Sequence, residues 1–189
     1  MIPILLLAAG KSSRMGDRDK LLERVHGHAI LAVLAKRALS VAPTFVTLPS
    51  LDHPRRAVLP DAAQLVIVDG QMSDSIQAGI AALPDDTRGV MILPADMPDI
   101  TSSDMRLIQT AAQNTDAPIV RASTADGLAG HPIYFASCQF AKFSDLKGDH
   151  GAFSLTKGLE RETVLIPLEG DRARLDLDTP EDWANYNAQ

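Results

Sequence analysis

A basic segment that follows the first apolar run carries the clearest signs of chemistry. The apolar run is 2–7, and the segment 10–20 is small, polar and rich in positive charge in a chain of net charge −6. Small residues let the backbone approach a ligand, and backbone N–H groups together with the Ser12 and Ser13 hydroxyls can hold phosphate. A solvated surface loop is the alternative, but a position directly after a buried strand favours anion binding. The bases are Lys11, Arg14, Arg18 and Lys20.

Two well-known phosphate-binding motifs do not fit this segment. Gly10-Lys11-Ser12 is like the end of a P-loop, but Leu5 stands where that motif requires its first glycine. The dinucleotide-binding fingerprint requires glycines where this chain has Ala8 and Ser13. The segment therefore needs another explanation.

Carboxylates follow extended segments in two distant parts of the chain. Asp96 lies in a turn stiffened by Pro94 and Pro98, where it either caps the turn or points into a site. Asp176 and Asp178 alternate on an extended segment, so their side chains point the same way. Such an oxygen-only set suits Mg²⁺, which takes few protein ligands together with water and phosphates. The five histidines and one cysteine lack metal-ligand spacing, so no zinc site is expected.

The elements that must position these groups alternate along the chain. Apolar runs predict strands, and apolar residues at helical spacing predict helices. This alternation predicts a single α/β domain over 1–189, with a mostly parallel sheet covered on both faces in a three-layer α/β/α Rossmann-like fold. Ligands of such sheets bind beyond the carboxyl ends of the strands. Strands are expected at 2–7, 45–48, 65–68, 89–93, 119–122, 131–135 and 164–166, and helices at 29–41, 73–83, 101–113 and 180–186.

Composition limits the partners and the compartment. Hydrophobic residues make up 46% and charged residues 22% of the chain, as in ordinary globular proteins. The acidic balance argues against nucleic-acid binding, which requires a basic face. The single Cys138 suits a reducing compartment, and neither a signal peptide nor a membrane span is apparent. We expect a cytoplasmic protein that binds neither membrane nor nucleic acid.

The basic loop resembles a known signature. Leu7-Ala8-Ala9-Gly10, Ser12, Arg14-Met15-Gly16 and Lys20 are similar to the loop of sugar-nucleotide pyrophosphorylases and cytidylyltransferases, above all the MobA/MocA-like molybdenum cofactor nucleotidyltransferases. The resemblance implies that this loop wraps a nucleoside triphosphate and that Arg14 and Lys20 neutralise its phosphates. One departure is that three residues separate Gly16 from Lys20, where two are common. The implied nucleotide-binding residues of the loop are Leu7, Ala8, Ala9, Gly10, Ser12 and Ser13.

Further segments resemble motifs of the same family. Asp96 matches the magnesium ligand of an Asp-x-Pro motif, and 176–182 resembles Asp-Ile-Asp-Thr-Pro-Glu-Asp, which implies that Asp178 is the second ligand and Asp176 its neighbour. Gly70, Ser73 and Ser75 resemble a Gly-x-Ser-x-Ser segment that contacts base and ribose, although Ser73 can equally cap the following helix.

The second substrate is implied by two more motifs. Gly130-His131-Pro132 resembles a strand near that substrate, with no catalytic role given to His131. The segment 148–152 resembles a Gly-Asp-x-Gly-Ala turn, after which the family often has arginine where this chain has Phe153.

The resemblance implies an Mg²⁺-dependent nucleotidyltransferase. Within the family, Leu-Ala-Ala-Gly is typical of cytidylyl enzymes and Leu-Ala-Gly-Gly of guanylyl enzymes, so Ala9 favours CTP as the nucleotide and molybdopterin as the acceptor. Transfer of GMP to molybdopterin, or transfer to a sugar or alcohol phosphate, is the alternative reaction. A nonenzymatic nucleotide-binding partner of a molybdoenzyme is the alternative of another class. A molybdoenzyme or its chaperone is a further possible partner.

Overall fold

The computed structural model of the protein describes residues 2–148 and 151–188. Every predicted strand and helix is present within these ranges, with ends that differ by a few residues. The strands are β1 (Ile4–Leu7), β2 (Arg24–Val25), β3 (His28–Ala29), β4 (Thr44–Leu48), β5 (Gln64–Ile67), β6 (Gly89–Pro94), β7 (Ile119–Ser123), β8 (Ala129–Ala136) and β9 (Thr163–Pro167). The α-helices are α1 (Ile30–Leu39), α2 (Met72–Ala81), α3 (Ser102–Gln113) and α4 (Pro180–Asn187).

Seven strands form one mixed sheet in the order β5-β4-β1-β6-β8-β7-β9. Strand β8 is antiparallel to both of its neighbours, β6 and β7, and the other pairings are parallel. The expectation of a mostly parallel sheet in an α/β fold is therefore confirmed. The carboxyl ends of β1, β5 and β6 consequently lie at one edge of the sheet, where ligand-binding loops are expected.

The sheet is buried on both faces because its strands alternate their side chains. In β1, Ile4 and Leu6 belong to one apolar cluster, whereas Leu5 belongs to the other. Helices α1, α3 and α4 pack on the first face, and α2 packs on the second together with the 3₁₀ turns of Ser137–Asp145. Continuous apolar runs in the sequence reflect this two-sided burial.

A two-stranded hairpin, β2–β3, was not predicted from the sequence. It lies between the basic loop and α1, and His26 and Gly27 both have positive φ, as a tight type I′ turn requires. The pair His-Gly lacks the asparagine or aspartate that usually marks such turns, and each strand has only two residues.

Side chains fix the starts of the helices near the sheet edge. Thr101 and Thr179 cap α3 and α4 as expected, and each accepts a hydrogen bond from the third helical residue. Helix α2 begins one residue earlier than predicted, so Gln71 is its cap and Ser73 lies inside the first turn. Within the described residues, no helix has both the length and the apolar character needed to cross a membrane.

Candidate active site

A cleft of about 610 Å³ opens at the carboxyl ends of β1, β5 and β6. The loop after β1 forms one wall, and the turn after β6 and the segment before α4 form the opposite wall. The predicted site residues that line this cleft are Leu7, Ala9, Gly10, Ser12, Ser13, Arg14, Lys20, Gly70, Ser75, Asp96 and Asp178.

Backbone hydrogen bonds hold these three segments together. The Ala95 N–H donates to the Leu7 carbonyl at 3.1 Å and joins the loops after β1 and β6. The Leu177 N–H donates to the Asp96 carbonyl at 3.1 Å. This second bond brings Asp96 beside Asp176 and Asp178, although about eighty residues of sequence separate them.

Three carboxylates form a cluster, two on the wall of this cleft and one beside it. Asp96, Asp176 and Asp178 each offer an oxygen atom, and these oxygens lie within 4.8 Å of one another. The Oδ1 atom of Asp96 is buried and has no hydrogen-bond partner within the described part of the chain. A buried carboxylate oxygen without a partner is costly, so its position fits a cation ligand. An oxygen-only donor set suits Mg²⁺ or Mn²⁺. Sequence reasoning had placed Asp176 only as a neighbour of this set.

Two basic side chains form ion pairs with these carboxylates. The Lys20 Nζ atom lies 2.5 Å from Asp96 Oδ2 and 2.5 Å from Asp178 Oδ1. The Arg14 Nη1 atom lies 2.7 Å from Asp178 Oδ2. The side chains of Lys20, Asp96 and Asp178 are 16%, 13% and 19% exposed, so solvent screens their interaction only in part. Arg14 is 68% exposed, so solvent screens its ion pair with Asp178 more strongly.

The charges of the cluster perturb one another. Burial alone would lower the pKa of Lys20, but Asp96 and Asp178 outweigh it and raise this pKa, so the ammonium stays protonated. Burial would raise the pKa of Asp178, but its hydrogen bond and ion pair with Lys20 hold it below the usual range. Burial, followed by the charges of Asp96 and Asp178, raises the pKa of Asp176 to about 6. Crowded carboxylates of this kind accommodate added positive charge readily.

Two of the predicted nucleotide-binding residues do not reach the cleft. Ala8 is fully buried behind the loop, where its N–H donates to the Thr47 hydroxyl at 2.9 Å. Ser73 is 2% exposed inside α2, and its N–H donates to the Gly148 carbonyl at 3.1 Å. Both residues therefore support the wall of the cleft rather than form its surface. Asp149 and His150 of the Gly-Asp-x-Gly-Ala segment lie outside the described residues.

A second lobe of about 480 Å³ adjoins the carboxylates. Arg121 and Arg174 line it beside His131, and they are fixed by hydrogen bonds from Arg121 Nε to the Gly130 carbonyl at 2.7 Å and from Arg174 Nη1 to the Ala129 carbonyl at 3.1 Å. Burial, followed by the charges of both arginines, lowers the pKa of His131 to about 4, so His131 is neutral near pH 7. Away from the Lys20 ammonium and the carboxylates that it shares with the first cleft, the lobe thus presents the positive charge of Arg121 and Arg174.

Several residues that line the site were not among the predicted site residues. Arg121 is an isolated base, Arg174 lies two residues after Arg172, and tertiary packing brings Arg121 and Arg174 to the same lobe. Gln71 and Met72 line the first cleft because α2 begins early. Phe153, where the resembled family often has arginine, lines the second lobe and is 44% exposed.

The sheet order, the single reversed strand and a cleft beyond the strand ends define an α/β nucleotidyltransferase fold. A family model described as the MobA-like NTP transferase domain matches residues 4–164. The chain belongs to this family and is a nucleotidyltransferase family enzyme.

Individual relatives agree with this assignment. The purine catabolism protein PucB of Bacillus subtilis is 28% identical over 202 aligned positions, which cover 95% of this chain and 92% of that protein. A 2-C-methyl-D-erythritol 4-phosphate cytidylyltransferase of Synechococcus is 40% identical over 97 positions, 47% of this chain and 44% of that enzyme.

A solved structure has the same fold over its whole length. The crystal structure of Rv0371c from Mycobacterium tuberculosis superposes with a TM-score of 0.87 at 25% identity, covering 100% of this chain and 98% of that one. A complex of Rv0371c with manganese superposes with a TM-score of 0.83 at 24% identity, covering 97% and 96%.

Proposed function

We propose that residues 1–189 form one catalytic domain that transfers CMP from CTP to molybdopterin with release of pyrophosphate and depends on Mg²⁺. One observation carries the proposal: the basic loop after β1 and the carboxylates of Asp96 and Asp178 line a single cleft, and Lys20 contacts both carboxylates. A metal-bound polyphosphate requires positive groups for its oxygens and carboxylates for its cation. In this cleft, the positive groups and the carboxylates are close enough to contact one nucleoside triphosphate and its cation.

The cleft suits a nucleoside triphosphate in size and in the distribution of its groups. Its volume lies in the range of small-molecule sites, roughly 300–1,000 Å³. We assign the phosphates to the loop of Gly10, Ser12 and Ser13, and the base and ribose to Gly70 and Ser75. A Cβ added at Gly10 would meet no atom within 4 Å, so open space remains above this loop for a ligand.

Asp96 and Asp178, with Asp176 beside them, are the proposed metal ligands. Mg²⁺ held there supplies positive charge to the triphosphate and to the departing pyrophosphate. Lys20 and Arg14 are placed to neutralise the negative charge that grows on the phosphate oxygens during transfer. Preorganised groups of this kind contribute roughly 10²–10³ in rate each.

The reaction needs no covalent enzyme intermediate. A phosphate oxygen of the acceptor forms a bond to the α-phosphorus of CTP, the bond from that phosphorus to the bridging oxygen breaks, and pyrophosphate leaves with the electron pair. The residues of the chain position the two substrates and stabilise charge, as in other phosphoryl transfers.

The second lobe supports an anionic acceptor. Arg121 and Arg174 are held by backbone carbonyls, and guanidinium groups bind phosphate or carboxylate through two parallel hydrogen bonds. Phe153 and Met72 add exposed apolar surface at the same lobe, which suits an acceptor that carries a ring system as well as a phosphate.

Ala9 supports the choice of a pyrimidine. It lines the cleft and is 5% exposed, so its methyl group occupies space at the wall that a glycine would leave to a larger base. The cytidylyltransferase among the relatives agrees with this choice.

A screen of the four nucleoside triphosphates tests the proposal. Pyrophosphate release is measured with Mg²⁺ or EDTA, and with molybdopterin, a sugar phosphate, an alcohol phosphate or no acceptor. We expect Mg²⁺-dependent release only with CTP and molybdopterin, and none from the Asp96→Ala variant. Faster release with GTP, or with another phosphate, assigns the chain to the alternative reaction. Nucleotide binding without release under any condition would instead favour a nonenzymatic partner of a molybdoenzyme.

A further inference from the structure

A buried arginine lies beneath the loop that forms the basic wall of the cleft. Arg55 belongs to the 3₁₀ turn Pro54–Val58 that follows β4, and only 2% of it is exposed. It does not line the cleft. Its neighbour Arg56 is a surface residue that lies 3.8 Å from Asp61. A fully buried arginine requires a set of acceptors, and the loop supplies all of those found here.

The Arg55 guanidinium contacts three separated points of the loop. Nη1 donates to the Ala8 carbonyl at 2.6 Å, at the point where the loop leaves β1. Nη2 donates to the Ser12 hydroxyl at 3.0 Å, in the middle of the loop. Nε and Nη2 donate to the two carboxylate oxygens of Asp19, each at 2.7 Å, at the end of the loop. One rigid planar group therefore fixes the start, middle and end of the same segment.

The contact with Asp19 extends to the catalytic lysine. Asp19 Oδ1 also accepts a hydrogen bond from the Leu21 N–H at 3.0 Å and so caps the turn Lys20–Leu22. That turn carries Lys20 to Asp96 and Asp178. The direction in which Lys20 points thus depends on an Asp19 carboxylate that Arg55 holds in place.

The contact with Ser12 stabilises an unusual backbone. Ser12 has φ of 51°, a left-handed conformation that is unfavourable for a residue with a Cβ atom. Its hydroxyl lies between Arg55 and Asp19, at 3.0 Å and 3.3 Å. Strained backbone persists when its surroundings fix it from several sides, and such strain is concentrated at functional sites.

We infer that Arg55 is a positioning residue that holds loop 9–19 in its nucleotide-binding conformation without touching the nucleotide. The inference rests on the proposed function in one respect, that this loop holds the triphosphate. Without Arg55, the loop must become ordered when the nucleotide binds, and that cost weakens binding. Lys20 also loses its fixed direction, so turnover falls as well.

A purely structural role predicts a different pattern. If Arg55 only stabilised the fold, its loss would reduce the fraction of active protein and lower kcat, while KM for both substrates stayed unchanged. A positioning role raises KM for the nucleotide, lowers kcat and leaves KM for the acceptor unchanged.

The experiment compares Arg55→Lys and Arg55→Met with Arg56→Met, a matched change at the next residue. Hydrogen exchange of backbone amides in ligand-free protein reports loop order, and calorimetry with CTP and Mg²⁺ reports nucleotide affinity. We expect at least tenfold faster exchange at amides 9–19 in both Arg55 variants, unchanged exchange in β1 and β4, and at least tenfold weaker CTP binding. Arg56→Met should match the wild type, and Arg55→Lys should be milder than Arg55→Met.

Other outcomes overturn the inference. If the Arg55 variants show unchanged hydrogen exchange at amides 9–19 but a lower melting temperature, Arg55 has only a structural role. If exchange at these amides is faster but CTP affinity is unchanged, Arg55 orders the loop without affecting nucleotide binding. If Arg55→Met does not fold, Asp19→Asn opens the same contact from the loop side and is judged by the same two measurements. Failure of the wild type to bind CTP or any other nucleotide overturns the proposed function, while the exchange data still decide whether Arg55 orders the loop.

Discussion

Removing Lys20 should strengthen metal binding while it weakens catalysis. In the nucleotide-free protein the Lys20 ammonium lies 2.5 Å from Asp96 and 2.5 Å from Asp178, the two carboxylates proposed to hold the metal. A divalent cation must therefore compete with this ammonium for the negative charge of the same two carboxylates. The Lys20→Ala substitution removes the competitor and leaves the carboxylates without their counter-charge.

The size of the effect follows from the separation of the charges. Two unit charges 2.5 Å apart attract by about 1.7 kcal/mol even at the dielectric constant of water, and by more in a partly buried site. Since ~1.4 kcal/mol corresponds to a factor of ten, loss of a single such pair should tighten metal binding by about tenfold or more. Turnover with saturating substrates should fall by roughly 10²–10³, because the phosphates lose a preorganised cation.

The assay measures Mn²⁺ binding to nucleotide-free protein by calorimetry or electron paramagnetic resonance, followed by pyrophosphate release with CTP and Mg²⁺. Arg18→Ala is the matched control, because it removes one positive charge from the same loop at a residue that is paired with Glu23 at 3.6 Å and does not line the cleft. If a folded Lys20→Ala variant binds Mn²⁺ as strongly as the wild type or more weakly, the Lys20 ammonium does not compete with the metal. Wild-type turnover by that variant would refute the catalytic role of the lysine.

Three further predictions address the base, the acceptor and the loop. Ala9→Gly should raise turnover of GTP relative to CTP by several-fold. An unchanged ratio of GTP turnover to CTP turnover would contradict the proposal that the Ala9 methyl group selects the smaller base. Arg174→Met should raise KM for the acceptor about tenfold or more with KM for CTP unchanged; equal changes in both would argue against an acceptor lobe. Burial would raise the pKa of Asp19, but Arg55 holds it below the usual value, so this pair stabilises the fold above about pH 4 and loses its effect as the pH falls further. The difference in unfolding free energy between wild type and Asp19→Asn, measured by urea titrations, should therefore shrink on acidification. A difference that stays constant with pH would show that the Asp19–Arg55 pair is not its source.

Much of the fold follows from local patterns in the sequence. The strands could be predicted because two-sided burial in a parallel sheet requires uninterrupted apolar runs such as 89–93. The first residues of α3 and α4 could be predicted because Thr101 and Thr179 are typical N-terminal caps. Asp96 directly follows β6 and Lys20 lies in the loop after β1, so their approach could be anticipated from strands that end at the same edge. Asp178 was placed with them by its resemblance to the family motif.

The remainder depends on tertiary structure. Nothing local distinguishes the buried Arg55 from the exposed Arg56, since only the packed loop decides which guanidinium finds acceptors. The inclusion of Asp176 in the carboxylate cluster depends on the bond between Leu177 and Asp96, which joins distant segments. The β2–β3 hairpin had too few residues for any periodic pattern.

The reversal of β8 has a consequence for how such a protein diversifies. Because β8 runs against its neighbours, it begins at the edge where the other strands end, and its first residues, Ala129, Gly130 and His131, line the second lobe. In the proposed function, the loops after β1, β5 and β6 hold the donor, whereas Arg121, Gly130 and Arg174 from this later part of the chain face the acceptor. Insertions or exchanges between β7 and β8 can alter which molecule is modified while the machinery for the triphosphate stays intact. A duplicated gene can thus acquire a new acceptor through changes in one connection.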